Sequence, residues 1–96
     1  MTRADTPNRI RFEICVLGVA RAETFYVEEQ VPDGWPLPAV GALARPLAVE
    51  GPERRVVQVV STGAVTYVEL EPIDISQGER NVDEEAAALR AAGWRT

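Results

Sequence analysis

The chain has no histidine, no lysine and a single cysteine, Cys15; all ten of its basic residues are arginines. Each absence excludes some chemistry. Without imidazole, the one side chain that ordinarily titrates near neutral pH is missing, and so is the commonest nitrogen ligand for metals. Without lysine, no side-chain amine can form a Schiff base. A lone thiol cannot close an intrachain disulfide, and nothing in the cysteine usage points to an oxidising compartment. Long apolar runs are also absent. None approaches the ~20 residues needed to cross a bilayer. The segment Met1 to Arg9 is polar and lacks the apolar stretch of a signal peptide, so the expected localisation is cytoplasmic.

What is present is an ordinary globular inventory. The 96 residues are 46% hydrophobic and 26% charged, with a net charge of -5. That length suits one domain with a real core. The acidic balance repels phosphate backbones and anionic membranes, so neither nucleic acid nor a membrane is the expected partner. No tight binding to double-stranded DNA is expected, because there is also no basic helix for the major groove. The arginine-only basic set, with many Ala, Val, Gly and Pro residues, points to a GC-rich coding sequence of the bacterial kind, which bears on codon usage and not on function.

The periodicity is that of strands. Residues 1–8 are polar and aperiodic and are expected to be disordered. From Arg9 to Val19, Ile10, Phe12, Ile14 and Val16 alternate with Arg9, Arg11, Glu13 and Cys15. Past Ile14 both faces turn apolar, which predicts cover on both sides. Thr24 to Val31 reads as a second strand, with Phe25, Val27, Glu29 and Val31 on one face and Tyr26, Glu28 and Gln30 on the other. Hairpin pairing of the two is the simplest arrangement. Prolines then exclude helix and central strand from Pro32 to Pro38. Ala42 to Val49 predicts a short edge strand. Arg54 to Val60 and Ala64 to Glu71 flank the turn Ser61-Thr62-Gly63 and predict a second hairpin. Valines on both faces of Arg54 to Val60 suggest a central position. Thr66, Val68 and Leu70 share one face of its partner, and Val65, Tyr67, Glu69 and Glu71 the other.

Pro72 ends the sheet, and residues 73–80 read as a linker. Asn81 and Glu84 have the spacing of a capping box, Asp83 to Glu85 suit the positive end of a helix, and Arg90 suits the other end. Val82, Ala86 and Leu89 form a narrow apolar stripe. Gly93 fits the left-handed position after the helix, with Trp94 folding back on Leu89. The expected fold class is α+β: a small antiparallel sheet or partly open β-barrel of four to five strands (residues 9–71) with one C-terminal α-helix (residues 81–93).

Candidate chemistry is sparse. Cys15 lies in an apolar strand with no histidine to activate it; Arg9 and Arg11 are the cations on its face, and a buried, inert thiol accounts for it. Two carboxylate groups stand out: Glu69, Glu71 and Asp74, and Glu28, Glu29 and Asp33. Paired carboxylates can hold Mg²⁺ or Ca²⁺ or perform acid-base work, but neither group has EF-hand spacing and a solvated strand face explains the first. Ser61, Thr62 and Ser76 lack a side-chain base. No catalytic residue, metal ligand or cofactor-binding residue is assigned, and no cofactor is expected. Arg9, Arg11, Arg54 and Arg55 could form a nucleic-acid face if their strands were neighbours, with Phe12 or Tyr26 for stacking. The alternative is that Arg54 and Arg55 open an exposed strand end and pair with Glu50 or Glu53.

Trp35, in the proline-rich loop, is either a lid on the core or an interface anchor. With Leu37 and Tyr67 it forms the candidate partner-binding set. The apolar faces, including Val56, Val60, Tyr67 and Val65, exceed what one narrow helix stripe can cover. The leading expectation is therefore a non-enzymatic interaction or assembly module whose partner is itself, as a dimer or higher oligomer, or another protein. A small-barrel nucleic-acid binder using the arginine face and a small carboxylate-based enzyme or ligand-binding subunit are the alternatives.

Overall fold

Alternation decides the core. Ile10, Phe12, Ile14 and Val16 are each at most 4% exposed, and they share an inner face with Phe25, Val27, Val31, Val56, Val68 and Leu70. The computed structural model describes residues 8–32, 34–78 and 80–96. Its elements run β1 (Asn8–Leu17), β2 (Ala22–Val31), β3 (Leu43–Ala44), β4 (Arg54–Ser61), β5 (Val65–Leu70), β6 (Ile73–Asp74) and α1 (Val82–Ala92). The strands form one mixed sheet in the order β2-β1-β5-β4-β3, with β6 also on β1, curled into a half-barrel. The α+β class and the partly open barrel are as the sequence predicts.

Three details differ. First, β1 pairs antiparallel with β2 but parallel with β5 and β6, so the sheet is mixed rather than wholly antiparallel. The parallel register sets Phe12 beside Val68 and Ile10 beside Thr66, which merges their inner faces. Second, the strands with a long neighbour on both sides are β1 and β5. Strand β4 lies next to the short edge strand β3, and a bulge between Val56 and Gln58 interrupts it. The valines on both sides of β4 reflect that bulge and an uncovered outer face, not burial on two sides. Val56 itself points inward and is fully buried. Third, residues 73–80 are not simply a linker, because Ile73 and Asp74 pair with Val16 and Leu17. At the ends of β1, Asn8 belongs to the strand, while Val19 lies beyond it and is exposed. Residues 1–7, expected to be disordered, lie outside the described residues.

The connection from β2 to β4 runs from one edge of the sheet to the other and crosses the inner face, burying Pro46 and Val49 there. Glu29 holds this crossing in place. Its two carboxylate oxygens accept the N–H groups of Leu47 and Ala48 at 2.7 and 3.0 Å. The outer edge of β2 is further occupied by the C-terminal chain: Tyr26 N–H donates to Arg95 O at 2.8 Å, and Arg95 N–H to Tyr26 O at 3.0 Å.

Helix α1 begins with the predicted box. Glu84 N–H donates to Asn81 Oδ1 at 2.8 Å, and Asn81 N–H donates to Glu84 Oε1 at 3.2 Å. It ends at Gly93, whose φ is 119°. Trp94 N–H returns to Leu89 O at 2.9 Å and Gly93 N–H to Arg90 O at 3.1 Å, the two bonds of a Schellman ending. Trp94 is buried as a result, and Val82 and Ala86 join the core. The helix start sits so close to the β1–β2 turn that a β-carbon at Gly18 would overlap the Val82 side chain. Ion pairs Arg21–Asp83 and Arg90–Glu23 tie the same two elements together on the surface.

Two outcomes follow from these joints. At Gly93 a β-carbon would sit 3.1 Å from Val49 Cγ1 and 3.2 Å from Ala48 O. Gly93→Val therefore combines this crowding with left-handed strain and should cost on the order of 1 kcal/mol or more. Equal thermal stability of variant and parent would show that the helix ending does not matter. Glu29→Ala removes two charge-assisted bonds and should cost about 1–2 kcal/mol in urea unfolding. Glu28→Ala, on the opposite face of the same strand, loses only surface ion pairs and should cost under ~1 kcal/mol.

Candidate functional site

The outer face of the sheet carries no helix contact comparable to the inner one, and its residues follow from the register. On β1 these are Arg9, Arg11, Glu13 and Cys15. Arg11 stands between Glu28 of β2 and Tyr67 of β5, and Tyr67 stands beside Val60 of β4. Moving across the sheet, polar and ionic residues on β1 and β2 give way to apolar ones on β4 and β5.

The arginines of β1 are neutralised. Arg9 meets Glu28 at 2.9 Å, Arg11 meets Glu13 at 3.0 Å, and the Arg11 guanidinium lies 3.9 Å from the centroid of the Tyr26 ring. That stacking adds a cation–π contact. Arg54 and Arg55 lie at the other end of the sheet, two strands away, with Leu70 and Glu71 rather than Val65 as their neighbours. Arg54 donates to Glu71 O and Pro72 O, not to Glu50 or Glu53. The four arginines therefore do not assemble into one face.

The carboxylate groups are also dispersed. Strand alternation sends Glu28 outward to Arg9 and Glu29 inward to the Leu47–Ala48 backbone. Asp33 lies outside the described residues. Glu69 stands opposite Glu13, whereas Asp74 is on β6 and turns to Ser76. The Ser76 hydroxyl, and then its backbone N–H, hold the Asp74 carboxyl below its ordinary pKa. This is a local turn, not half of a pair. Among the described residues no cluster has the make-up of a metal site. Cys15 is half-buried beside a hollow lined by Glu13 and Glu69, so carboxylates rather than a cation flank it. Ser61 and Thr66 share a hydrogen bond at 3.0 Å, and Thr62 closes the turn onto Val65.

What the fold does bring together is an apolar, unpaired margin. Strand β3 covers β4 only at Arg54 and Arg55, and Gly41 and Ala42 bond to Val56. Beyond that point, residues 57–61 have no neighbouring strand on their outer side among the described residues. Val57 and Val60 are 40% and 41% exposed, and Tyr67, directly across from Val60, is 37% exposed. Leu43, opposite Arg55 on β3, extends the exposed strip. Natural sheets usually protect such an edge with charge, proline or a bulge. Here the bulge at Val56–Gln58 is present, but no charged residue or proline stands between Val56 and Ser61. Val57 and Leu43 did not stand out in the sequence; the signal that points to them is the excess of valine in β4 over what an edge strand needs.

Trp35 and Leu37 lie in the irregular crossing loop, 41% and 47% exposed, and neither belongs to the buried core. Trp35 is fixed by its N–H, which donates to Pro32 O at 3.1 Å. Trp35→Ala should therefore change folding stability by less than ~1 kcal/mol, as a surface position does. Phe25→Ala, in the core, should cost about 3–5 kcal/mol. Urea unfolding of the two variants separates these outcomes, and an equal loss at Trp35 would make it a core residue. No protein-family model matches this chain, and neither curated proteins nor solved structures give a match, so its function must be read from its own geometry.

Proposed function

We propose that this protein is a non-enzymatic assembly module that binds another protein chain, in the first instance a second copy of itself, through the outer edge of β4. One observation carries the reading: residues 57–61 offer an unpaired strand edge beside exposed Val57, Val60 and Tyr67. Backbone groups on such an edge supply hydrogen bonds to an added strand, and the flanking apolar side chains supply the burial. Pairing of β4 with β4 of a second copy about a two-fold axis is isologous and closes the edge on both molecules. Trp35 and Leu37 sit on a loop already restrained by Pro32, Pro36 and Pro38, so they add contact area at low ordering cost. A reducing, cytoplasmic setting suits a protein whose one cysteine has no partner. The neutralised arginines of β1 and the net charge of -5 favour protein over nucleic acid as the partner.

Light scattering at high micromolar concentration should give the mass of a dimer or larger assembly. Val60→Lys places a charge on the paired edge and should raise the dissociation constant roughly 30-fold or more, the size of a hot-spot loss. Its circular dichroism should match the parent. A monomer mass for the parent protein, or an assembly indifferent to Val60→Lys, would sink this reading.

A further inference from the structure

The arginines divide by the company they keep. Arg9, Arg11, Arg21, Arg80 and Arg90 each meet a carboxylate. Arg45, Arg54, Arg55 and Arg95 have no carboxylate partner among the described residues, and of these Arg45 and Arg54 line a common cleft. Arg45 Nη1 donates to Gly51 O at 2.8 Å, and Arg54 Nε and Nη2 donate to Glu71 O and Pro72 O at 3.0 and 3.1 Å. Backbone carbonyls orient these guanidinium groups but do not cancel their charge. A guanidinium carries five N–H donors, so both keep donors to spare.

Both groups line the same cleft, a space of about 330 Å³ between α1, the segment leaving β3 and the ends of β5 and β6. Its walls are apolar: Ile14, Leu70 and Ile73 from the sheet, Leu89 from the helix, and Trp94. The other charged groups facing it are Arg80, Glu50 and Glu85. Glu85 is buried and held in an ion pair by Arg80. Among the described residues, three arginines and two glutamates face the cleft, an excess of one arginine in a protein whose net charge is -5. An arginine-rich, apolar-walled recess with convergent donors is the ordinary make-up of a small-molecule site.

We infer that this cleft binds a small organic acid: a single carboxylate held by Arg45 and Arg54, with a short apolar body lying against Leu70, Leu89 and Trp94. The planar fork of arginine matches a carboxylate. The volume is at the low end of the roughly 300–1,000 Å³ typical of ligand pockets, which fits a short acyl chain or one ring. The apolar walls give no binding energy to a bare inorganic anion, so the body of the ligand matters as much as its charge. The site lies on the inner side of the half-barrel, apart from the β4 edge, and stands or falls independently of self-association.

The test is an NMR titration of the full ¹⁵N-labelled chain with hexanoate, hexan-1-ol and inorganic phosphate in parallel. Hexanoate should give saturable shifts at the amides of Leu70, Leu89 and Trp94. Hexan-1-ol should bind roughly tenfold more weakly, and Arg45→Gln and Arg54→Gln should each weaken hexanoate by a similar factor, as loss of a charge-assisted bond does. Arg54 also ties β4 to Glu71 and Pro72, so Arg54→Gln can affect folding. Arg45→Gln alters an exposed side chain and keeps the comparison clean. Ala88→Phe fills the cleft from an exposed helix position and should abolish the hexanoate shifts with the parent's circular dichroism retained. The inference is overturned if hexanoate gives no saturable shifts or if hexan-1-ol binds as well as hexanoate. It is equally overturned if phosphate alone reproduces the shifts, or if Arg45→Gln and Ala88→Phe leave hexanoate binding unchanged.

Discussion

The half-barrel depends on how one carboxylate joins its two sides. Glu29 belongs to β2, at one edge of the sheet, and takes two N–H groups of the chain that has just left β3 at the other. A curled sheet with a single short helix cannot otherwise cover its apolar inner face. The crossing chain supplies the missing lid by burying Pro46 and Val49, but a crossing chain is irregular and its backbone donors need partners. Glu29 meets that need for two of them. The helix then locks against the same segment from the other side, with Glu50 N–H donating to Ala92 O at 3.2 Å and Gly93 close to Val49. Crossing chain, β2 and helix end are thus one joint.

The two margins of the sheet differ. At the β2 margin Arg95 bridges Tyr26, and the outward side chains of Glu28 and Gln30 are polar, while the crossing chain bonds the inward Glu29 side chain and not the strand edge. The β4 margin has only the two residues of β3 and a bulge. In the antiparallel register of β3 on β4, covering residues 57–61 would need the residues before Leu43, and that stretch carries Pro36 and Pro38. An open edge on β4 is the consequence, and it is the feature on which the proposed assembly rests.

With no lysine or histidine, arginine performs every cationic role, and the fold sorts these residues by environment. On the outer face, arginine is neutralised by glutamate and stacks on Tyr26, which makes a solvated polar surface. In the cleft, two arginines are oriented by carbonyls and keep their charge. A planar, always-charged group suits both uses, whereas a compact ammonium on a flexible stem has no fixed fork of donors for backbone carbonyls to orient.

Much was legible in the sequence because it depends on neighbours along the chain. The alternation from Ile10 to Val16, the Asn81–Glu84 box and the Gly93–Trp94 ending are local patterns, and each forms as its spacing implies, while the turn expected at Ser61-Thr62-Gly63 forms one residue later, with Ser61 still in β4. The choice of neighbour across the sheet is not local. That β1 lies parallel to β5, that β6 extends this pairing, and that β4 is left near an edge follow from which inner faces merge. The candidate sites were legible only as lists. Arg54 and Arg55 looked available to Arg9 and Arg11, and the structure sets them two strands apart. Alternation already set Glu28 and Glu29 on opposite faces, but only the packed chain supplies the Leu47 and Ala48 N–H groups that Glu29 accepts. In the sequence Glu85 is only an acidic residue of the first helical turn, whereas the structure buries it and pairs it with Arg80, because helix and sheet pack around it. The sequence alone determined the four long strands, the helix caps and the absence of imidazole and amine chemistry, because these are properties of residues and their near neighbours, whereas the two-residue strands β3 and β6 exist only through their partners. Only the tertiary structure decided which edge stays open and which arginines keep their charge, because both depend on chain segments far apart in sequence meeting in space.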